Sequence, residues 1–265
     1  MTDEFTTIRL SIADGIGRLT LANGARGNPL GPVSAPELLE AAIRLDESKD
    51  LRAVLISADG KNFCVGGDLG HFAQADDLST SVKRMTAMYH SAIAKLLRMR
   101  APIVCAVQGA CAGAGVPLAA MGDLVIGAQS SHYTIAYTAI GFSPDGASTW
   151  VLPRVIGMRR FQELALTNRR IDADEAARIG LLTEVASDDA VLARAEELVA
   201  SLAQGATGAI GAVRQLLLAS FDNSLETQLE LESRLLSDQC RGDDVREGIS
   251  AVLARRAANF TGRVS

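Results

Sequence analysis

Short apolar runs separated by glycine and proline dominate the first half of the chain. Apolar and polar residues alternate over 8–12 and again over 17–21, on either side of Asp14-Gly15, and this pattern predicts a β-hairpin. Runs without a polar face are typical of strands that are covered on both sides of a sheet. Such buried strands are predicted at 53–57, 103–107 and 124–126.

Helical periodicity appears between these strands and dominates the second half. Ser34 is expected to cap a helix whose apolar face includes Leu38 and Leu45, and a long amphipathic helix is predicted from about 79 to 98. Further helices are predicted near 159–167, 172–179, 190–202, 208–220, 224–237 and 243–256. The sequence therefore predicts an α/β protein in which strand–strand–helix units are followed by an all-helical tail from about 204.

Composition and charge argue against several classes of protein. Nucleic-acid-binding proteins usually carry a cluster of basic residues, whereas here the net charge is −5 and the basic residues are dispersed. The most apolar stretch, 101–128, is interrupted by Gln108, Pro117 and Asp123, so we expect no membrane span. The first residues carry no signal-peptide pattern, and a cytoplasmic protein is expected.

The four cysteines and three histidines show neither disulfide pairing nor metal-ligand spacing. Cys105 and Cys111 lie in an apolar stretch, where free thiols usually pack as small hydrophobic groups. His71, His90 and His132 form no ligand pattern with the cysteines or with each other. No metal site is therefore predicted.

Two glycine loops are the first candidates for chemistry. Gly66-Gly67 and Gly113-Ala114-Gly115 each follow a buried strand and precede a helix, where backbone N–H groups can receive an anionic oxygen. Glycine also allows a ligand to approach the backbone closely. The residues alone leave open that the glycines only satisfy packing. A dinucleotide site is disfavoured, because the second loop lacks the third glycine and the downstream acidic partner.

The order of several motifs resembles the crotonase (enoyl-CoA hydratase/isomerase) superfamily over nearly the whole chain. The segment 62–69 (NFCVGGDL) is similar to its first signature, and 108–115 (QGACAGAG), followed by Gly122-Asp123, is similar to its second. The segments 140–150, 152–157, 166–173, 176–182, 246–249 and 256–260 also resemble that superfamily. The resemblance is specific for the superfamily and much less so for the reaction, because this fold hosts several chemistries.

The resemblance implies a fold, a substrate and an assembly. The fold would be a spiral of repeated ββα units over 1–203, with a C-terminal helical region over 204–265 that assembles a homotrimer or a dimer of trimers. The substrate would be an acyl-CoA thioester, with coenzyme A as part of the substrate and no separate cofactor. The backbone N–H groups of Gly67 and Ala114 would form the oxyanion hole for the thioester oxygen.

The acid–base residue departs from the hydratase pattern. By resemblance, hydratases hold the attacking water between two glutamates, and the corresponding positions here are Pro117 and Tyr137. Asp145 instead matches the single catalytic aspartate of enoyl-CoA isomerases, to which the site residues are closest. The order Ser-Pro-Asp-Gly is also a strong turn pattern, so Asp145 could serve only as a turn and N-cap residue. The resemblance favours catalysis, with Asp145 carrying a proton between two carbon atoms.

The remaining candidates surround that aspartate or the coenzyme. Tyr137, Phe142 and Trp150 are expected to form an apolar substrate pocket. His90 matches the histidine of aryl-CoA dehalogenases, in which the equivalent aspartate is a nucleophile, although a structural or surface role is favoured here. Basic side chains expected near the coenzyme A phosphates are Arg26, Arg255 and Arg256. An enoyl-CoA hydratase, an aspartate-dependent hydrolase or dehalogenase, and a catalytically weak CoA-ester-binding protein remain the alternatives to an isomerase.

Overall fold

The apolar runs form the strands of a six-stranded sheet in the computed structural model, which describes residues 5–262. Three further short strands form a second sheet. The strands are β1 (Ile8–Ala13), β2 (Ile16–Leu21), β3 (Ala53–Ala58), β4 (Ile103–Val107), β5 (Ala110–Ala112), β6 (Leu124–Ala128), β7 (His132–Thr134), β8 (Ile171–Asp172) and β9 (Glu184–Ala186).

Helices follow most of these strands and make up the C-terminal part of the chain. They are α1 (Ser34–Glu47), α2 (Leu69–Gln74), α3 (Leu78–Arg98), α4 (Gly115–Ala120), α5 (Ser148–Ile156), α6 (Met158–Thr167), α7 (Ala173–Arg178), α8 (Val191–Gln204), α9 (Thr207–Ala219), α10 (Leu225–Gln239) and α11 (Asp243–Ala254). Among residues 5–262, no helix is both long enough and apolar enough to cross a bilayer.

The main sheet has the strand order β1-β2-β3-β4-β6-β9 and is antiparallel only between β1 and β2. Asp14 and Gly15 make the β1–β2 turn at positive φ, 52° and 75°, as two-residue hairpin turns require. Strand β4 is buried along its whole length, in agreement with its unbroken apolar sequence. The predicted hairpin and the predicted buried strands are confirmed.

A second layer of extended segments runs beside the main sheet. Strand β5 pairs in parallel with β7, and β7 pairs antiparallel with β8. Two single bridges, Leu30–Gly67 and Cys64–Cys111, add earlier parts of the chain to this layer. The chain thus passes repeatedly from a strand of the main sheet to an extended segment of the second layer and then into a helix. This is the crotonase-like ββα spiral that the sequence predicts.

Apolar cores lie on both faces of the main sheet. Successive residues of β3 point to opposite faces, so that Val54 and Leu55 belong to different cores. Helix α8 covers one face with Ala195 and Val199, while α1 and α3 cover the other. The core covered by α1 and α3 also supports the second glycine loop, since it contains Ala114.

Arg214 joins the C-terminal helices to the core. This residue of α9 is 9% exposed, and its guanidinium donates to Asp123 Oδ1 at 2.9 Å and to the carbonyl oxygen of Ala101 at 2.8 Å. It also donates to the carbonyl oxygens of Met99 and Leu96. The helices α9, α10 and α11 match the predicted helical tail, and its division from the core at 203/204 remains a prediction.

Some local expectations are corrected by the structure. Ser34 is the first residue of α1 and does not cap it; Val33 occupies the N-cap, and the Ser34 hydroxyl accepts from the Gly31 N–H at 2.8 Å. The segment 109–115, expected to be a loop, contains the short strand β5. Strands β7, β8 and β9 and helix α2 were not predicted, because two to six residues give no measurable periodicity.

Candidate active site

A cavity of about 980 Å³ opens between the two glycine loops, α2 and the N-terminal half of α3. This volume lies in the usual range for small-molecule sites. Apolar side chains form most of its wall, namely Leu69, Phe72, Leu78, Val82, Met85, Ile140 and Phe142. Gly67, Ala114 and Asp145 line the same cavity, so the proposed oxyanion hole and the proposed acid–base residue meet in one place.

The two glycine loops are in direct contact. Gly66 and Gly113 have positive φ angles of 97° and 51°. A Cβ atom added to Gly66 would lie 3.1 Å from the carbonyl oxygen of Ala112 and 3.4 Å from the Cα atom of Gly113. Only glycine allows both this conformation and this approach. The contact brings the backbone of the two loops together.

The Gly67 N–H is left unused by its neighbours. In the parallel bridge with Leu30, the hydrogen bonds are made by the carbonyl oxygen of Gly66 and the N–H of Asp68, each at 2.8 Å. Among the hydrogen bonds of residues 5–262, none takes its donor from Gly67. Its N–H is therefore available to a ligand in the cavity that Gly67 lines.

The second N–H belongs to Ala114, the N-cap of α4. The Ala114 carbonyl accepts from the Leu118 N–H and, at 2.8 Å, from the hydroxyl of buried Tyr89. The described part of the chain contains no acceptor for the Ala114 N–H. Tyr89 thus holds the peptide group that follows Ala114, while the Ala114 N–H, in the peptide group before it, has no acceptor among the described residues.

Asp145 directs its carboxylate to the cavity and not to the helix that follows. Its backbone carbonyl closes the turn before α5 by accepting from the N–H and the hydroxyl of Ser148, at 3.0 and 2.6 Å. The N-cap of α5 is Ala147, so the Asp145 side chain does not cap that helix. The alternative of a purely structural turn residue is therefore disfavoured for the carboxylate, which lines the cavity.

Tyr137 holds one oxygen of that carboxylate. Its hydroxyl donates to Asp145 Oδ1 at 2.6 Å, and the side chain is 7% exposed. Burial raises the pKa of Tyr137 well above its ordinary value, and the nearby negative charge of Asp145 adds to the effect. The hydroxyl therefore stays protonated and acts as a donor at neutral pH.

The two glutamate positions of the hydratase pattern carry no carboxylate. Pro117 is buried within α4, and the Tyr137 hydroxyl is committed to Asp145. Asp145 is the single acidic residue among the described residues that line the cavity. The site as built can move a proton with one carboxylate but has no pair of carboxylates to hold a water molecule.

His90 contacts Asp145 from outside the cavity. Its Nε2 atom lies 3.4 Å from Asp145 Oδ2 and accepts from the Gly146 N–H at 3.2 Å. The His90 side chain is 49% exposed, and it is not one of the described residues that line the cavity. The structure thus places His90 beside Asp145 but outside the cavity wall.

The aromatic candidates separate into two groups. Phe142 lines the cavity and packs against Phe72, with ring centroids 5.8 Å apart. Trp150 lies elsewhere, beneath the guanidinium of Arg154, which is 3.9 Å from its ring centroid. Helix α5 turns Trp150 away from the cavity, so the expected contribution of Trp150 to the pocket wall is corrected.

The structure places the three arginine candidates outside the cavity wall. Arg26 is exposed and donates at 2.9 Å to Asp68, whose carboxylate also caps α2. Arg256 forms an ion pair with Glu247, and Arg255 is the C-cap of α11. Their roles toward coenzyme A stay predictions, with Arg26 the nearest of them in sequence to a cavity-lining loop.

Sequence reasoning missed Tyr89, which supports the site from two sides. Besides holding the Ala114 carbonyl, its ring would lie 2.6 Å from a Cβ added to Gly146, the residue after Asp145. In the sequence Tyr89 is only one more apolar position on α3, so no local signal marks it.

No cluster of histidine, cysteine or acidic residues that could hold a metal occurs within residues 5–262.

Comparisons with known proteins find relatives over almost the whole chain. A family model described as enoyl-CoA hydratase/isomerase matches residues 11–263. The chain is 34% identical over 257 residues to 1,2-epoxyphenylacetyl-CoA isomerase of Escherichia coli, covering 95% of this chain and 97% of that protein. It is 37% identical over 261 residues to a Rhodobacter capsulatus protein named "Probable enoyl-CoA hydratase", covering 98% and 100% of the two chains.

Solved structures agree with the sequence relatives. The crystal structure of an enoyl-CoA hydratase from Polaromonas sp. JS666 superposes with a TM-score of 0.90 at 29% sequence identity, covering 96% of this chain and 99% of that one. The similarity therefore extends over the spiral and the C-terminal helices together.

Proposed function

The chain belongs to the enoyl-CoA hydratase/isomerase family, and we propose that it shifts the double bond of an enoyl-CoA thioester with Asp145 as the residue that exchanges protons with the substrate. The observation that carries the proposal is the composition of the cavity wall. It combines two unused backbone N–H groups, of Gly67 and Ala114, with one carboxylate, Asp145. A double-bond shift needs these groups and no activated water.

The proposed reaction begins with removal of a proton from the carbon next to the thioester. Asp145 takes this proton, and the electron pair moves onto the thioester oxygen to give an enolate. The Gly67 and Ala114 N–H groups stabilise that oxygen without reorganisation, and losing one such donor costs about 3 kcal/mol of barrier stabilisation. Asp145 then returns the proton to the γ-carbon, which moves the double bond. The reverse sequence runs through the same enolate.

Two features support an isomerase over a hydratase. The positions that hold glutamates in the hydratase pattern are Pro117 and Tyr137, and Tyr137 is hydrogen-bonded to Asp145. The E. coli relative is named 1,2-epoxyphenylacetyl-CoA isomerase, although the R. capsulatus relative is named a probable enoyl-CoA hydratase. We expect hydration of crotonyl-CoA to be orders of magnitude slower than in a dedicated hydratase, measured as loss of the conjugated-thioester absorbance. Efficient hydration would contradict the assignment of Asp145 as the only catalytic carboxylate of the site.

The direct test is Asp145→Asn. This change keeps the shape of the side chain and its place beside Tyr137 but removes the base, so turnover of a β,γ-unsaturated acyl-CoA should be lost. Binding of the substrate, measured by calorimetry, should stay nearly intact because the oxyanion hole and the cavity are unchanged. Exchange of the α-protons with deuterium oxide should also stop. Persistent exchange in Asp145→Asn would show that another group is the base.

A second candidate is a hydrolase or dehalogenase in which Asp145 attacks the substrate carbon. The contact between His90 and Asp145 favours it, because a neighbouring histidine could activate the water that hydrolyses an aspartyl ester. Such a mechanism predicts that His90→Gln accumulates a covalent adduct on Asp145. We expect mass spectra of this variant, quenched during turnover, to show no adduct. An acyl or aryl group trapped on Asp145 would favour the second candidate.

A further inference from the structure

Asp145 stands between two different environments. One side of its carboxylate faces the cavity, while Oδ2 lies 3.4 Å from Nε2 of His90. His90 does not contribute to the described cavity wall, and its side chain is 49% exposed, against 24% for Asp145. A substrate bound in the cavity would therefore cover Asp145 but leave His90 in contact with solvent.

Gly146 fixes the protonation pattern of His90. Its N–H donates to Nε2 at 3.2 Å, so in the neutral imidazole Nε2 carries the lone pair and the ring proton is on Nδ1. The acceptor nitrogen thus lies beside Asp145, where it can receive a proton from that side chain once it is protonated. Gly146 has a positive φ of 59°, a backbone conformation that glycine adopts without strain.

We propose that His90 is the outlet through which the proton on Asp145 exchanges with solvent during turnover. The inference rests on the proposed isomerase function and adds a route for the proton. After Asp145 has taken the substrate proton, its Oδ2–H passes the proton to Nε2 of His90, and Asp145 becomes a carboxylate again. The half-exposed imidazolium then rotates until its Nε2–H meets water, loses that proton to solvent while Nδ1 keeps its own, and takes a solvent proton on Nε2 in its place. The reverse transfer brings a solvent proton to Asp145, which delivers it to the enolate.

Tyr137 does not provide this route. Its hydroxyl occupies the other oxygen, Oδ1, as a donor, and its side chain is buried. A proton on Asp145 therefore has one exposed neighbour, His90, on the side away from the cavity. Shortening the 3.4 Å contact requires only a small rotation of a half-exposed side chain on α3.

The outlet affects the isotope content of the product and the rate of the double-bond shift differently. Without an outlet, Asp145 returns the same hydrogen that it removed, and the product keeps the substrate's hydrogen. With the outlet, the hydrogen is replaced by one from solvent before it is returned. His90 should therefore influence the origin of the transferred hydrogen far more than the rate of the double-bond shift.

The test follows a β,γ-unsaturated hexenoyl-CoA in deuterium oxide and measures both product formation and deuterium in the product by mass spectrometry. The wild type should give a largely deuterated product. His90→Gln, which keeps a polar side chain that can accept from Gly146, should lower deuterium incorporation roughly tenfold while turnover falls by less than about tenfold. Added imidazole should restore incorporation in His90→Ala. His132→Gln, a histidine change on β7, is the matched control and should behave as the wild type.

The two readouts distinguish the possible failures. Equal deuterium incorporation in the wild type and in both His90 variants would overturn the outlet. Absence of any conjugated product from the wild type would overturn the isomerase function instead. In that case α-proton exchange of the same thioester still tests His90, because it needs only Asp145 and the oxyanion hole. Loss of exchange in His90→Gln would support the outlet, and unchanged exchange would refute it.

Discussion

Tyr137 donates its hydroxyl to Oδ1 of Asp145 across 2.6 Å, from a side chain that is almost fully enclosed by the core. A hydrogen bond from a neutral donor to an ionised carboxylate is short and strong. The bond holds one carboxylate oxygen in place and leaves the other directed at His90 and the cavity. Tyr137 is therefore a positioning residue, and it stands where the hydratase pattern has a glutamate.

Removing that hydroxyl should slow the reaction without weakening substrate binding. A hydrogen bond to a charged group contributes about 2 kcal/mol, so Tyr137→Phe should lower kcat by roughly thirtyfold with little change in KM. Tyr133→Phe is the matched control, because its hydroxyl is also buried but bonds to Ser131 away from the cavity. Steady-state kinetics on both variants test this. Wild-type kcat in Tyr137→Phe would show that the bond does not orient Asp145.

The three tyrosines should resist titration in the folded protein. Burial raises the pKa of Tyr89, Tyr133 and Tyr137 above the ordinary value of 10.0. Because the unfolded chain releases these protons first, the stabilisation is complete below the unfolded pKa and is lost as the pH rises towards the folded values. Near-ultraviolet absorbance should show tyrosinate only when the protein unfolds. A smooth rise centred near pH 10 in folded protein would contradict the burial of these hydroxyls.

Buried Arg214 should be among the most sensitive positions for stability. Its guanidinium donates to Asp123 and to three backbone carbonyl oxygens, so Arg214→Ala would remove these hydrogen bonds and leave the Asp123 carboxylate with the Ile103 N–H as donor. We expect a loss of about 3–5 kcal/mol in the free energy of unfolding, measured with urea. Arg241→Ala removes an exposed ion pair with Asp238 and should cost less than about 1 kcal/mol. Similar losses in both variants would refute the anchoring role of Arg214.

The C-terminal helices should assemble the protein into a trimer or hexamer. They expose large apolar side chains, with Leu236 at 70%, Val252 at 77% and Leu253 at 80%. Exposed patches of large apolar side chains are typical of protein–protein contact surfaces. Sedimentation at micromolar concentration should give a trimeric or hexameric mass, and Val252→Glu with Leu253→Glu should lower it. Leu192→Glu on α8 serves as the control, and a monomeric wild type would refute the expectation.

The contact between the two glycine loops left a signal in the sequence, because its backbone geometry needs particular residue types, while the oxyanion-hole role came from the family resemblance. Gly66 and Gly113 adopt positive φ at the point where the loops touch, and this requirement leaves glycine in the sequence. The buried strands could also be predicted from the sequence, since β4 contains no polar residue that would need contact with solvent. Asp145 was found through the motif around it, and its position in the cavity agrees with that expectation.

The contacts between distant side chains could not be predicted. Tyr89 and Ala114 are brought together by the packing of α3 on the second glycine loop, and Arg214 bonds to Asp123 across 91 residues of sequence. Neither pair has a spacing that local periodicity could reveal. The misplacement of Trp150 has the same origin, because five residues after Asp145 the first turn of α5 has already rotated the side chain away from the cavity.

The stacking of Trp150 beneath Arg154 gives the enzyme an intrinsic optical reporter. Trp150 is the only tryptophan in the chain, and the same guanidinium lies 4.9 Å from the ring centroid of Phe221, which follows α9. The indole therefore lies where helix α5, which begins three residues after Asp145, meets the C-terminal helices. Displacement of those helices would remove Phe221 from the Arg154 guanidinium that stacks on the indole, so we expect it to change the surroundings of the ring and hence its fluorescence emission. Docking of the C-terminal region can thus be followed in real time, without a label, from the emission of a single residue.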